Sequence, residues 1–157
     1  MNSMEQARFN MIEQQIRPWD VADPQVLGLL SIVKREQFVP AGRQSLAFMD
    51  MEIPLGYGAA MWQPKLEARV LHELHVQKSE CVLEVGTGSG YLTALLSRLA
   101  AQVASIEIVP ALSSQAAHNL AGQCRGREWI VVLVMFPCWK MTILRFDTTD
   151  QRRSSEF

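Results

Sequence analysis

Cysteine is scarce in this chain. There are three, Cys81, Cys124 and Cys138, and no C-x-x-C pair. That suits reduced thiols in a cytoplasmic setting better than a disulfide framework. An excess of one charge sign is also missing. The formal net charge is −1, which argues against a nucleic-acid partner held by a basic patch. Long apolar runs are absent: Trp129 to Trp139, the longest, is too short to span a bilayer, so no membrane partner is expected. Met1 to Asp20 is polar and charged without an apolar centre, and no signal peptide is expected. There is no internal repeat or low-complexity tract, and nothing in the sequence sets an oligomeric state. What remains is an ordinary globular composition, 48% hydrophobic and 20% charged, over 157 residues. That length makes one domain or part of one.

The chain is organised around Val82-Leu83-Glu84-Val85-Gly86-Thr87-Gly88-Ser89-Gly90-Tyr91. An apolar run bounded by glycines reads as a buried parallel strand ending in a tight turn. Leu92 to Leu99 reads as the helix that opens from it. Strand, turn and helix N-terminus make a ligand cradle, because glycines admit a ligand to the backbone and first-turn N–H groups face it. A dinucleotide site wants G-x-G-x-x-G and must accept a pyrophosphate. Here the spacing is G-x-G-x-G, and Glu84 at the strand end would repel phosphate. A carboxylate suits S-adenosylmethionine, which carries an ammonium and a sulfonium and no phosphate. Val103 to Glu107 reads as a second strand ending in an acid able to accept from both ribose hydroxyls. Glu107 alone does not discriminate, since dinucleotide folds place an acid at similar spacing. A glycine turn in some other α/β domain remains the plain alternative.

The N-terminal part is helical in pattern. Glu5 to Ile16 carries Phe9, Ile12 and Ile16 at helical spacing, and Pro18 ends it. Asp23-Pro24 is a helix start, with Val26, Leu27, Leu29, Leu30 and Val33 as its buried face. Phe48 to Pro64 reads as a long loop, and such loops are uncommon unless functional. Pro64 opens the next helix, with Leu66, Val70, Leu71 and Leu74 on one face. His72 and His75 sit on it at i, i+3. They lack the further ligands a zinc site needs and are expected as solvated residues of the polar face.

Glu84, Gly86, Gly88, Gly90 and Glu107 resemble the first two motifs of class I S-adenosylmethionine-dependent methyltransferases. With Arg17-Pro18, Arg35-Glu36-Gln37-Phe38-Val39-Pro40, Asp50, Ile53-Pro54-Leu55-Gly56, Pro64 and Ser105-Ile106-Glu107, the chain from about Met11 to Gly122 resembles protein-L-isoaspartate O-methyltransferases. The resemblance implies an α/β fold, a Rossmann-like methyltransferase sheet with an N-terminal helical layer. It also implies S-adenosylmethionine as cofactor and methyl transfer to the free carboxylate of an isoaspartyl residue in a protein or peptide. The implied cofactor residues are Glu84 on the amine side, Gly86, Gly88 and Gly90 for backbone approach, Ser89 as loop donor and Glu107 on the ribose. Thr87 and Ile108 complete the set.

The chain departs from that pattern in two places. Across Gly58-Ala59-Ala60-Met61-Trp62, Ala60 stands where the family has Thr and Trp62 where it has Ser, hydroxyls that contact cofactor and substrate carboxylate. A donor-only indole is far larger than a hydroxymethyl group. A different methyl acceptor, or a cofactor-binding fragment without activity, is therefore kept as the alternative function. An NAD-dependent oxidoreductase is disfavoured by Glu84 and the glycine spacing. The second departure follows Gly122, where composition shifts as in a frameshifted or chimeric end. At most one further strand, Ile130 to Phe136, is expected there, leaving the sheet incomplete before a polar tail from Arg145 to Phe157. The expected organisation is a helical layer and substrate loop over 1–63, a cofactor-binding βαβ region over 64–122, and a divergent tail over 123–157.

Overall fold

The N-terminal layer is shaped by its helix starts and stops. In the computed structural model, which describes residues 3–123, 129–133 and 142–147, α1 (Ser3–Met11) passes into one wide π turn at Ile12–Ile16 and a 3-10 turn at Arg17–Trp19. Regular α geometry thus ends at Met11, earlier than the expected single helix to Ile16. Met11, Ile12 and Ile16 are all buried. Pro18 stops the run because it has no N–H to donate and its ring crowds the preceding turn. α2 (Pro24–Ile32) starts as its sequence requires: the Asp23 carboxylate accepts from the Gln25 N–H at 2.8 Å, and Pro24 takes the first helical position.

The expected loop from Phe48 to Pro64 contains a hairpin. β1 (Ile53–Gly56) pairs antiparallel with β2 (Ala59–Met61), with a bulge between Pro54 and Gly56. Both turn residues have positive φ, Tyr57 at 56° and Gly58 at 75°, the handedness that matches strand twist in a two-residue turn. Pro54 hid this strand from pattern reading. A proline is tolerated here because β1 has one strand partner and needs no second ladder of donors.

α3 (Pro64–Leu74) leads to β3 (Glu80–Val85), α4 (Tyr91–Leu99), β4 (Gln102–Glu107) and α5 (Pro110–Gln123). β3, β4 and β5 (Trp129–Leu133) run parallel, and the sheet order is β5-β4-β3-β6. β6 (Thr142–Asp147) was not expected. It pairs antiparallel with β3 over the register Glu80↔Asp147 to Val85↔Thr142. Among the described residues two strands therefore follow residue 122, not one. Arg145 and Asp147 gave this segment a polar look, while Thr142, Ile143 and Phe146 carry its β-propensity. Residues 134–136 of the expected third strand, and the expected polar tail past Asp147, lie outside the described residues. No helix among the described residues is long and apolar enough to cross a membrane.

One apolar cluster joins the helical layer to the sheet's helices through Met11, Ile16, Leu30, Ile53, Leu71, Leu95 and Leu96. Full burial of each such side chain stabilises by about 1.5–3 kcal/mol. Within it lies a charged group. Arg35 is 1% exposed. Its Nε donates to the Ala47 carbonyl at 2.8 Å, Nη1 pairs with Glu67 Oε2, and Nη2 donates to the Trp62 carbonyl. The guanidinium also lies 5.0 Å from the Tyr91 ring centre. Arg35→Met should lower the unfolding free energy by about 3–5 kcal/mol, because it strands the Glu67 carboxyl without its cation. Urea denaturation reads this out, and Arg35→Met with Glu67→Leu should recover part of the loss. A single variant as stable as the parent would show that the pair does not hold these segments together.

Candidate functional site

The glycine motif closes β3 as a sharp loop. Gly86, Gly88 and Gly90 have φ of 101°, 55° and 83°, values that L side chains rarely adopt. A Cβ on Gly88 would meet Leu55 Cδ1 of the hairpin at 3.3 Å. One on Gly90 would meet Ala116 Cβ and Leu120 Cγ of α5 at 3.3 Å. The glycines thus let the hairpin sit on the loop and α5 pack against the start of α4. Four of the loop's N–H groups are engaged within the fold. Gly86 and Thr87 donate to the Ile106 carbonyl at 2.7 and 3.2 Å, Gly88 to Glu107 Oε2 at 2.8 Å, and Gly90 to the Thr87 carbonyl at 2.9 Å.

A cavity of about 50 Å3 lies between hairpin and loop. Ala60, Met61 and Trp62 form one wall, and Gly86, Thr87, Gly88 and Ser89 another, with Leu92, Glu67 and Glu84 completing it. The structure therefore brings together Ala60, Trp62, Glu84, Gly86, Thr87, Gly88 and Ser89. Gly90 lies behind, as the N-cap of α4. Glu107, at the end of β4, is 5% exposed; its Oε1 accepts from the Ile108 and Val109 N–H groups at 2.9 and 3.0 Å. Ile108 beside it is 47% exposed. Gly88 and Ser89 also border a wider cleft of about 450 Å3, shared with Tyr57 at the hairpin tip and with Leu112, Gln115, His118 and Asn119 of α5. A cavity of about 570 Å3 between α1 and α2 is lined by none of the expected cofactor residues.

Glu84 is wholly buried. Thr93 Oγ1 and Ser105 Oγ both donate to its Oε2, and Thr87 Oγ1 lies 2.6 Å from Ser105 Oγ. Oε1 has no partner. An unpaired carboxyl oxygen in so dry a place is costly unless something fills the role. Burial pushes the Glu84 carboxyl up to about 7; the Ser105 and Thr93 hydrogen bonds pull it down, and Glu107 pushes it up. Burial likewise pushes Glu67 up to about 8 against the attraction and hydrogen bond of Arg35, with Glu84 adding to the rise.

Sequence reasoning passed over Glu67, Thr93 and Ser105. Glu67 shares the buried face of α3 with Pro64, Ala68 and Leu71, and a lone acid on an apolar face was its signal. Ser105 alternates with Val103 and Glu107 on the buried side of β4 and is the register partner of Glu84, which period-two reading could have shown. Thr93 sits on a helix that is buried nearly all round. The expected solvated histidines are split. His75 is exposed, whereas His72 is half-buried with a buried Nδ1 that has no partner. Among the described residues no three His, Cys, Asp or Glu converge to hold a metal.

These carboxyls set a pH dependence. A group raised in the folded state from 4.5 to about 7, as Glu84 is, stabilises fully below 4.5, and that stability is lost as pH rises through about 7. The melting temperature should therefore fall between about pH 5 and pH 8, and the fall should be smaller in Glu84→Gln. Circular dichroism melts test this; an unchanged slope in the variant would remove Glu84 as the source.

The protein family described as Protein-L-isoaspartate(D-aspartate) O-methyltransferase (PCMT) matches residues 6–135. The match runs past Gly122, where the sequence reading placed the departure, and takes in β5. The chain is similar to Protein-L-isoaspartate O-methyltransferase of Picosynechococcus sp., 42% identical over 113 residues, which covers 72% of this chain and 51% of the relative. It is similar to Protein-L-isoaspartate O-methyltransferase 1 of Anaeromyxobacter sp., 44% identical over 105 residues, covering 67% and 50%. The chain thus spans about half the length of these curated relatives. The crystal structure of a putative protein-L-isoaspartate O-methyltransferase from Plasmodium falciparum in complex with S-adenosyl-L-homocysteine superposes with a TM-score of 0.67. At 17% identity it covers 84% of this chain and 63% of that one, and it shows a shared fold. With a family match over most of its length and two such relatives, the chain belongs to the protein-L-isoaspartate(D-aspartate) O-methyltransferase family.

Proposed function

We propose that the chain carries the cofactor half of an S-adenosylmethionine-dependent methyl transfer to the free carboxylate of isoaspartyl residues in proteins or peptides, in the cytoplasm. The observation that carries the reading is Glu84, which lines the cavity beside the glycine loop and whose buried Oε1 has no partner. A cationic group with N–H donors fits it. A phosphate fits less well, because a buried carboxyl lines the same cavity and the N–H groups of Gly86, Thr87, Gly88 and Gly90 are already engaged.

Glu84 would hold the cofactor's ammonium. Gly86, Thr87, Gly88, Ser89 and Gly90 would let its chain approach the backbone, and Glu107 would accept from a ribose hydroxyl. Backbone N–H groups take three of about four acceptor positions on Glu107, which fixes its orientation and leaves one position for the ribose. Exposed Ile108 offers apolar surface next to it. When bound, the cofactor supplies an electrophilic methyl carbon. The protein's part is to position the acceptor, since a carboxylate is ionised at neutral pH and needs no strong base. Ala60 and Trp62 line the cavity without offering the hydroxyls the family pattern has there, so the chain should be a weak catalyst.

Calorimetry should show binding of S-adenosylhomocysteine in preference to NAD; tight NAD binding with no response to S-adenosylhomocysteine would end the methyltransferase reading. Glu107→Ala should weaken S-adenosylhomocysteine binding by about 1.5–3 kcal/mol through loss of a charged acceptor. In a radiolabelled methyl-transfer assay on an isoaspartyl peptide, the chain should turn over slowly, and Ala60→Thr with Trp62→Ser should raise the rate. Fast turnover by the unaltered chain would show that those hydroxyls are dispensable.

A further inference from the structure

The two oxygens of the Glu84 carboxyl have opposite fates. Oε2 is held twice, by Thr93 from α4 and by Ser105 from the adjacent strand. A serine hydroxyl has one proton, and Ser105 gives its own to Glu84. The proton in the 2.6 Å contact between Thr87 and Ser105 is then supplied by Thr87. Three hydroxyls thus spend their hydrogen bonds on one side of the carboxyl. Oε1 of the same carboxyl is buried and unpartnered, and Glu84 lines the cavity beside the glycine loop. The space there, about 50 Å3, suits a group of ammonium size and is far too small for a nucleoside.

We propose that Ser105 and Thr93 are positioning residues for the cofactor's ammonium group: by fixing Oε2 they present Oε1 to it, with Thr87 orienting Ser105. The proposal rests on the cofactor reading given above. It has a protonic consequence. An ammonium needs an ionised partner, so a protonated Glu84 must lose its proton to solvent as the ligand arrives. The charged groups facing Glu84 among the described residues are Glu107 from β4 and Glu67 from α3, the latter bound to Arg35. On the β6 side its register partner is Ile143, which does not titrate. Burial and Glu107 hold the Glu84 proton on, the two hydroxyls help it off, and Glu84 in turn raises Glu67. Removing either hydroxyl should move the ionisation of Glu84 to higher pH and make binding follow it.

The test is calorimetry of the full chain with S-adenosylhomocysteine and with 5′-methylthioadenosine, which lacks the ammonium-bearing part, across neutral pH in two buffers of different ionisation enthalpy. Ser105→Ala and Thr93→Val should each weaken S-adenosylhomocysteine binding about tenfold near neutrality. They should raise the pH midpoint of its affinity and leave 5′-methylthioadenosine binding unchanged. Thr93→Ser should behave as the parent. The parent should release protons on binding S-adenosylhomocysteine and none on binding 5′-methylthioadenosine. An unmoved midpoint, or equal loss of both ligands, assigns the hydroxyls a scaffold role and overturns the proposal while the cofactor reading stands. Should both hydroxyl-free variants fail to fold, S-adenosylhomocysteine binding by the parent without proton release overturns it. A parent chain that binds no S-adenosylhomocysteine at all overturns the cofactor reading itself.

Discussion

A guanidinium carries five N–H donors and does not give up its charge, so burying one commits its surroundings. Arg35 makes that demand here. Its acceptors come from Ala47, from Trp62 at the end of the hairpin and from Glu67 on α3, while the Tyr91 ring at the head of α4 faces its cation. Segments far apart in sequence are thereby tied at one point. The next residue, Glu36, takes part in a second ion pair with Arg8 of α1, which lies over Phe48. The hairpin's place above the glycine loop follows from this arrangement, since the Trp62 carbonyl is tied to Arg35 while its side chain borders the cavity.

Around that cavity the electrostatics lean to one side. Glu67, Glu84 and Glu107 gather with Arg35 as the cation bound among them, and burial rather than repulsion is the largest influence on the first two. A glycine loop is often a phosphate cradle because its N–H groups are unclaimed. Here the Ile106 carbonyl and the Glu107 carboxylate claim those of Gly86, Thr87 and Gly88. The same glycines that look alike in sequence serve a different end: they permit contact with Leu55 on one side and α5 on the other.

Much of this was legible in the sequence because it depends on local rules. The Asp23 cap, the start of α3 at Pro64, the β3–loop–α4 unit and the acid ending β4 each declare themselves within a few residues. What stayed hidden depends on partners distant in the chain. β6 becomes a strand by pairing with β3 some sixty residues earlier. β1 tolerates a proline because it is paired along one side, which sequence does not announce. Ser105 reads as a strand residue until its register with Glu84 is known. Arg35 was quoted as part of a motif, but its burial required knowing that three acceptors would meet it.

The two-residue turn at Tyr57–Gly58 bears on the order in which the molecule assembles. A hairpin of this kind closes on its own in about 1–10 µs, whereas parallel pairing of β3 with β4 must wait for a helical crossover. Yet an isolated pair of strands is marginal in water, and this one gains its support from Leu55 against Gly88 and from the Trp62 carbonyl on Arg35. An element able to close early is therefore secured only by contacts distant in the chain. The cavity it covers exists as a defined space only once the long-range contacts beneath it are made, so the site is a late product of folding.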